Sequence, residues 1–501
     1  MDRFKIFLFC TLLLVLNTES AFAQSAQAQV GYDDLVNLLG GSLEDGTGVT
    51  SAQVESEVNG VAYLANPTVT QFSNTIFVDG TGTNIGASGH ATSVGARMYG
   101  SFSMASGLGR TTNPITGYGA SDFLVNQTNI DNGSDPEPFD FDVANHSYIL
   151  YLSLTDLTTA QGVNILQRFD FMANQGETTH CVGANNGSNT ATPEFLSNSY
   201  NSISVGRTDG NHSRGTTTIY GAGRVKPEIV APETATSFST PLVSASAAIL
   251  HEAGAGTTAT RTETIRALLL SGATKDEFAD WDRTTTRPLD EVFGAGELNI
   301  YNSYMSLQGG EFNGSTTTPT APVGLNGWDY EEQIVAGNDM IYEFEVSAGT
   351  KLDQLSIALC WNMDIIDNAS FFPNAFVPSE NLGDLNLEFY DSSDSFLGNL
   401  LDESKSTVDN VEHIYLQDLP AGTYHLKISS DTNKDFGVAW RSTNSQLLLG
   451  DVDRNGTVNF LDVTPFIILL TSGIYQYEAD IDGNGTVNFF DVTPFIILLN
   501  Q

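Results

Sequence analysis

The stretch Lys226-Pro-Glu-Ile-Val-Ala-Pro-Glu-Thr-Ala-Thr-Ser237-Phe-Ser-Thr-Pro241-Leu-Val places a serine where an apolar strand meets a helix. The strand is predicted over Val225 to Val230. A helix rich in small residues is predicted to follow, because Thr236 and Ser237 can cap its start and Pro241 is tolerated in a first turn. Ser237 therefore has two possible roles, a simple N-cap and a nucleophile, and the residues around it favour the nucleophile.

A second stretch, Gly89-His90-Ala91-Thr92-Ser93-Val94-Gly95, places a histidine behind a glycine at the start of another small-residue helix. A serine hydroxyl is a weak nucleophile, and it needs a general base beside it and dipoles that stabilise the developing oxyanion. A lone histidine in a glycine-rich turn is usually only a turn residue. Together with Ser237, however, His90 predicts acyl transfer to water.

Both stretches resemble the serine and histidine boxes of the subtilisin-like serine peptidases, the subtilases. The resemblance covers residues 40–305, which alternate strand-like runs with small-residue helices. It implies a parallel α/β sheet, with Ser237 attacking the scissile carbonyl and His90 acting as base and then as acid. The chain departs from the family pattern at Ala91 and Ala235, where the family has glycine, and at Ser93, where the family has histidine.

The acidic partner of His90 has two candidates. Subtilases carry an aspartate at the end of the first core strand, and the run from Gly48 resembles that strand but ends in Glu55. Glutamate is one methylene longer than aspartate, yet it can still accept the imidazole N–H, so we prefer Glu55. Asp79 is the alternative, although it lies where the family has a loop.

The oxyanion donor is expected to be an asparagine in a glycine-rich turn after a strand. Val182-Gly-Ala-Asn185-Asn-Gly187 resembles that turn of the family, which implies Asn185 as the donor and leaves Asn186 as the neighbouring alternative. Asn145-His-Ser-Tyr-Ile149 resembles the strand that lines the substrate cleft, and His146 in it is predicted to be structural. A parallel sheet would present these groups at the carboxyl ends of its strands.

The composition of the 501 residues limits the classes of partner. The chain has 60 acidic and 20 basic residues and a net charge of −40, which argues against nucleic acid and anionic membrane surfaces and favours binding of divalent cations. Residues 1–23 are predicted to be a signal peptide, so we expect a secreted or cell-surface protein. The mature chain is predicted to have no membrane span. Cys181 and Cys360 are predicted to be buried thiols.

Four further segments are predicted along the mature chain. Residues 24–308 form the peptidase domain, and the polar, proline-bearing residues 309–324 form a linker. Residues 325–446 contain runs of alternating polar and apolar residues separated by turn signals, which predict an antiparallel β-sandwich. This segment resembles the jelly-roll domains that often follow secreted peptidase domains. Residues 447–501 contain a tandem repeat.

The repeat predicts two calcium sites. Each copy spaces its oxygen-bearing residues as a twelve-residue loop that a hard cation requires, with a glycine at the tight turn and an apolar helix after it. The predicted Ca²⁺ ligands are Asp451, Asp453, Asn455, Thr457, Asn459 and Asp462 in the first loop and Asp480, Asp482, Asn484, Thr486, Asn488 and Asp491 in the second.

The duplicated loop–helix arrangement, with aspartate at the twelfth loop position, looks like a type I dockerin, a small all-α module that anchors secreted enzymes to cohesin modules. The recognition positions of that family fall on Phe460-Leu461 and Phe489-Phe490, which are more apolar than usual. The leading hypothesis is a secreted, calcium-binding serine endopeptidase acting on protein or peptide substrates, with a possible cohesin partner. The alternatives are an inactive subtilase-shaped binding scaffold and a dockerin-borne protein of polysaccharide degradation.

Overall fold

The computed structural model describes residues 26–110, 112–131, 133–368, 375–392 and 396–500. The predicted signal peptide and Cys10 lie outside the described residues. Cys181 and Cys360 are free and buried, as predicted, and burial raises the thiol pKa of each to about 12. Among the helices within these ranges, none combines the length and the apolar character needed to cross a membrane.

The first part of the chain forms a seven-stranded parallel sheet in the order β2-β3-β1-β4-β5-β6-β9. In chain order the strands are β1 (Ser51–Glu55), β2 (Phe77–Asp79), β3 (Ile115–Gly119), β4 (Val143–His146), β5 (Thr179–Gly183), β6 (Ser202–Arg207), the ribbon of β7 (Gly215–Thr216) with β8 (Val225–Lys226), and β9 (Ile229–Ala231). The strand order reverses beside β1, so the carboxyl end of β1 lies where such sheets place their ligands.

Six helices of eight or more residues accompany this sheet. They are α1 (Tyr32–Leu39), α2 (Gly89–Met98), α3 (Thr159–Gly176), α4 (Thr236–Ala253), α5 (Thr262–Gly272) and α6 (Ile300–Gly309). Shorter turns are the α-turn Ala120–Asp122, the π-turn Phe123–Gln127 and the 3-10 turns Gly40–Ser42, Thr70–Phe72, Leu152–Leu154 and Thr258–Thr260. The predicted parallel α/β architecture is confirmed.

Small side chains allow α4 to pack closely against the parallel sheet. Ala245, Ala247 and Ala248 are fully buried, and α4 packs on β4, β5 and β6. The predicted continuous strand from Val225 to Val230 is wrong, because β8 ends at Lys226 and β9 begins at Ile229. Pro227 lies in the gap and has no N–H to donate to a ladder.

Two antiparallel four-stranded sheets follow, in the orders β10-β19-β12-β17 and β11-β18-β15-β16, and we call them the two-sheet unit. Their strands and the ribbon of β13 with β14 are β10 (Gly327–Ile334), β11 (Asp339–Val346), β12 (Thr350–Cys360), β13 (Asp364–Asp367), β14 (Pro378–Asn381), β15 (Leu385–Asp391), β16 (Leu400–Ser404), β17 (Val411–Leu419), β18 (Gly422–Ser430) and β19 (Lys434–Gln446). The two sheets bury a shared apolar core, and the expected additional β-sheets are therefore present.

The two-sheet unit and the parallel-sheet domain share a core across α5. All eleven residues of α5 are buried, and the helix packs against β12 and β19. A Cβ on Gly437 of β19 would lie 2.4 Å from the Thr264 backbone nitrogen, so the two backbones touch. The predicted linker is also attached to this unit, because Ser315 and Val323 form β-bridges with Ile341 and Phe344.

The last segment consists of two loop–helix units. The helices are α7 (Val463–Ser472) and α8 (Phe489–Leu498), preceded by 3-10 turns at Phe460–Asp462 and Tyr477–Ala479. Phe466 and Phe495, at equivalent positions of the repeat, stack with their ring centroids 4.0 Å apart. The duplication thus produces a small internal core; its assignment as a dockerin stays a prediction.

Candidate active site

The His90 imidazole and the Glu55 carboxylate form the central pair of the site. Glu55 is the last residue of β1 and His90 the second residue of α2, and the Nδ1 of His90 lies 2.6 Å from Glu55 Oε2. The Glu55 side chain is fully buried, whereas that of His90 is 28% exposed. With Nδ1 engaged, the Nε2 atom is the nitrogen left for a reacting group.

The second oxygen of Glu55 is held by a residue that the sequence analysis did not single out. Gln53 Nε2 donates to Glu55 Oε1 at 2.9 Å and to the Ala91 carbonyl at 3.0 Å, and the Tyr99 hydroxyl donates to Gln53 Oε1. Gln53 lies two residues before Glu55, and alternate residues of a strand share a face. Period-two spacing could therefore have identified it.

The electrostatic environment favours the protonated form of His90. Burial by itself would lower the His90 pKa, but the charge and the hydrogen bond of Glu55 outweigh it and raise the pKa above 6.5, while Arg97 opposes the increase. An imidazole in this setting can accept a proton and remain paired as an imidazolium with Glu55.

Ser237 is the second residue of α4. The helix begins at Thr236 and its N-cap is Ala235, which makes no side-chain cap, so Ser237 is not the capping residue. The Thr236 N–H instead donates to Asn186 Oδ1 at 3.0 Å. Ser147, just beyond β4, donates from its hydroxyl to the Ser237 carbonyl at 3.0 Å. Ser237 is therefore fixed at the positive end of a long helix.

The two asparagines of the glycine-rich turn face different partners. Asn185, the residue preferred from the sequence, donates from Nδ2 to the Tyr151 hydroxyl at 2.9 Å. The structure places the Asn186 side chain instead against the first residue of α4. Sequence spacing cannot distinguish two adjacent asparagines, because the backbone of the turn decides which side chain points to α4.

Phe238 brings the histidine and the serine helices together. Helix α2 packs on α4, and the His90 and Phe238 rings stack with centroids 6.3 Å apart at an interplanar angle of 26°. The hydrogen bonds of the described residues do not include one between Ser237 Oγ and His90 Nε2. Such bonds are often long in the absence of substrate and shorten in the reacting complex.

The other two candidate residues have structural partners. Asp79 accepts hydrogen bonds from the Tyr63 hydroxyl and from the backbone N–H groups of Gly82 and Asn84. Its carboxylate therefore stabilises the loop that follows β2. His146 is buried with Nε2 2.9 Å from His180 Nδ1, and burial lowers its pKa to about 3. Glu55, and not Asp79, contacts His90.

An apolar cavity of about 370 Å³ lies beyond Ser147. Its apolar lining is Leu124, Val125, Ile130, Leu150, Leu157, Ala160, Ile165 and Phe195. Leu150, part of this lining, follows Ser147 by three residues in the chain.

The two C-terminal loops each bring three carboxylates together. Atoms of Asp451, Asp453 and Asp462 lie within 4.8 Å of one another, as do those of Asp480, Asp482 and Asp491. Arg454 pairs with Glu478, at 2.7 Å, and not with these carboxylates. An all-oxygen donor set with three negative charges fits Ca²⁺ better than a softer metal.

Comparisons with known proteins identify the family of the parallel-sheet domain. The family model of the subtilases matches residues 46–296. Similar solved structures include fervidolysin from Fervidobacterium pennivorans, described as a keratinolytic enzyme related to subtilisin (12% identity, 80% of this chain and 74% of that chain, TM-score 0.36). Another is the serine protease MycP1, with 13% identity over 56% of this chain and 87% of that chain and a TM-score of 0.34. A third is tripeptidyl peptidase 2, with 10% identity over 71% of this chain and 40% of that chain and a TM-score of 0.30. No curated protein matches the sequence.

Proposed function

Because the chain belongs to the subtilase family of serine peptidases, we propose that it hydrolyses peptide bonds through an acyl-enzyme formed on Ser237. The observation that carries this proposal is the 2.6 Å contact between His90 Nδ1 and Glu55 Oε2, on the helix that packs against the start of α4. It leaves His90 Nε2 as a base whose conjugate acid is paired with a buried carboxylate.

The reaction uses these groups in two half-reactions. His90 Nε2 accepts the Ser237 proton as Oγ bonds to the carbonyl carbon, and it then gives that proton to the leaving amine as the C–N bond breaks. A water molecule next loses a proton to Nε2 as its oxygen bonds to the acyl carbon. Nε2 then returns a proton to Ser237 Oγ as the acyl C–Oγ bond breaks, which releases the carboxylic acid and restores Ser237. Glu55 orients His90 throughout and stabilises the imidazolium.

We propose that Asn186 donates to the oxyanion. Its Oδ1 accepts from the N–H of Thr236, one residue before Ser237, so its side-chain amide lies beside the start of α4. The Asn185 amide donates to Tyr151, which directs it to another group. The positive end of α4 adds a second favourable electrostatic contribution at this point.

Replacing Asn186 tests this assignment. We expect Asn186→Asp to lower kcat about 10²- to 10³-fold, because it removes the N–H donor while keeping an oxygen acceptor for the Thr236 N–H. Asn185→Ala is expected to lower kcat less than about tenfold, and hydrolysis of labelled casein provides the measurement. The reverse order of effects would assign the oxyanion to Asn185.

The first test of the proposed activity is labelling with a fluorophosphonate, which reacts only with an activated serine. We expect the purified protein in calcium to be labelled, Ser237→Ala to lose labelling, and Ser239→Ala to retain it. Ser239 is a suitable control because it lies in the same helix and its hydroxyl donates to the Ala231 carbonyl. Folded protein without labelling would support a binding scaffold instead.

We further propose that the last segment is a dockerin-like calcium module of a secreted protein. The residues that would hold Ca²⁺ are the twelve loop residues predicted from the sequence, and the ion would neutralise carboxylates that otherwise repel one another. Phe460 and Phe489 are 81% and 84% exposed, and Leu461 and Phe490 are 67% and 77% exposed. Such apolar exposure fits docking of a protein partner, and these residues are more apolar than those with which dockerins usually contact cohesins.

Removal of calcium is expected to unfold this module alone. With Ca²⁺ at 100 times its dissociation constant, binding stabilises a module by about 2.7 kcal/mol per site, so a chelator should make residues 447–501 sensitive to limited proteolysis. Asp462→Ala combined with Asp491→Ala should be sensitive even in calcium, whereas Asp280→Asn, an exposed acid outside the loops, should not. Equal resistance with and without chelator would contradict the calcium assignment.

A further inference from the structure

The His90 ring is the first of three stacked groups, followed by the Phe238 ring and the Arg97 guanidinium. Phe238 lies against the imidazole, with ring centroids 6.3 Å apart, and the Arg97 guanidinium carbon lies 4.0 Å from the Phe238 centroid. Phe238 directly follows Ser237, and Arg97 belongs to the same helix as His90. The stack therefore joins the two helices that carry the serine and the histidine.

The outer layer of the stack is itself fixed. Arg97 Nε lies 2.6 Å from Glu233 Oε1, and Arg97 Nη1 donates to the Ser93 carbonyl at 3.0 Å. Both ionic side chains are nearly inaccessible, 9% for Arg97 and 3% for Glu233. A buried, paired guanidinium over an aromatic face is a geometry that holds the ring in one orientation.

Glu55 alone does not determine the position of His90. One hydrogen bond to Nδ1 fixes one edge of the imidazole, but the ring can still tilt about that bond, and its side chain is 28% exposed. Proton transfer from Ser237 requires Nε2 at hydrogen-bond distance and in line with Oγ. A side chain packed against the face of the His90 ring would restrict this tilting.

We infer that Phe238 is a positioning residue for His90 and that the Arg97–Glu233 pair locks it in place. This inference rests on the proposed peptidase function. Phe238 stacks with the base and has no proton to exchange, so it acts through ring geometry. Arg97 acts in two ways, because it supports Phe238 and also places a positive charge near the imidazole.

The charged groups that face His90 are few. Glu55 faces it from β1 and Arg97 from its own helix, while α4 presents the uncharged Phe238. Because Glu55 raises and Arg97 lowers the His90 pKa, neutralising Arg97 should raise the pKa further and move the acid limb of the rate to higher pH.

Two sets of variants separate geometry from charge, with the fluorophosphonate labelling rate measured against pH. We expect Phe238→Leu to lower the plateau labelling rate about fivefold to tenfold without changing the pH of its acid limb. Phe238→Tyr, which keeps a ring, should retain most of the parent labelling rate. Phe278→Leu removes a ring elsewhere in this domain and should have no effect. The double variant Arg97→Gln with Glu233→Gln should move the acid limb of the labelling rate to higher pH, whereas Arg97→Lys should leave that limb at the parent pH.

Titration of the His90 ring by NMR in the Ser237→Ala protein provides a readout that does not need activity. A His90 pKa that rises in the neutral double variant and not in Arg97→Lys would support the inference even if no protein is labelled, in which case only the peptidase function fails. Labelling of the parent protein together with an unchanged rate in Phe238→Leu would overturn it.

Discussion

Removal of the Ser237 hydroxyl, the His90 imidazole or both is expected to lower kcat by nearly the same factor, about 10⁶. The two groups act as one unit, because the hydroxyl is a poor nucleophile without the base and the base has no proton to accept without the hydroxyl. Ser237→Ala, His90→Ala and the double variant should therefore retain the same residual rate, to which the oxyanion site and substrate binding contribute.

The acidic residue should behave differently from the other two. Glu55→Gln keeps the shape of the side chain but cannot stabilise an imidazolium, and we expect a loss of about 10⁴ in kcat. Since Glu55 raises the His90 pKa, its neutralisation should lower that pKa and move the acid limb of the residual rate to lower pH. Asp79→Asn is the matched control and should change kcat less than about tenfold.

Multiplicative losses in the Ser237 and His90 double variant would contradict this account, because they would show that the two side chains act independently. A loss in Asp79→Asn as large as that in Glu55→Gln would assign the acidic role to Asp79. The measurement is hydrolysis of labelled casein across pH 5 to 9, with circular dichroism confirming that each variant is folded.

Deletion of the two-sheet unit is expected to prevent the parallel-sheet domain from folding. The core of that domain includes five side chains of the unit, Trp328, Ala358, Cys360, Val411 and Ala439. Their loss together with the uncovering of α5 would remove on the order of 5–10 kcal/mol of apolar burial. That is comparable with the whole stability of an ordinary domain.

Polar contacts across the same boundary would be lost as well. Asn410 Nδ2 donates to the Tyr200 carbonyl at 3.0 Å, and Arg266 Nη1 donates to the Trp361 carbonyl at 3.3 Å. Glu263 is buried there, and burial raises its pKa to about 8. Deletion would also remove the Met363 carbonyl, to which Asn201 Nδ2 donates at 3.0 Å, and each buried group that loses such a partner costs stability.

Two truncated chains test whether the parallel-sheet domain folds without the two-sheet unit. A chain ending at Gln308 should be insoluble or lack a cooperative thermal transition, whereas a chain ending at Gln446 should melt within a few degrees of the full protein. Soluble, fluorophosphonate-reactive protein from the shorter chain would show that the parallel-sheet domain is independent after all.

Local patterns identify the proposed catalytic residues more readily than the residues around them. Ser237 and His90 stand in short contiguous stretches, and the strand ending in Glu55 is recognisable from its position in the chain. The choice between Asn185 and Asn186 depends on the backbone of one turn, which composition does not report. Phe238 and Arg97 carry no motif of their own, because their relation to His90 exists only once α2 and α4 are packed.

The two-sheet unit shows the same limit on a larger scale. Alternation along β11, β12, β15 and β18 predicts antiparallel strands, since each strand has one buried face. The attachment of these strands to α5 was not predicted, because polar residues such as Glu263 and Arg266 suggest a solvent-facing side, whereas all eleven residues of the helix are buried.

The contact between Gly437 and Thr264 has a consequence for modular exchange. In the sequence, residues 309–324 resemble a junction at which one C-terminal unit could be replaced by another. The packing boundary between the parallel-sheet domain and the two-sheet unit, however, lies at Gly437, where the Thr264 backbone leaves no room for a side chain. A chimera joined at that segment would inherit a sheet whose surface does not match α5. Recombination that preserves folding must therefore move α5, β12 and β19 as one block.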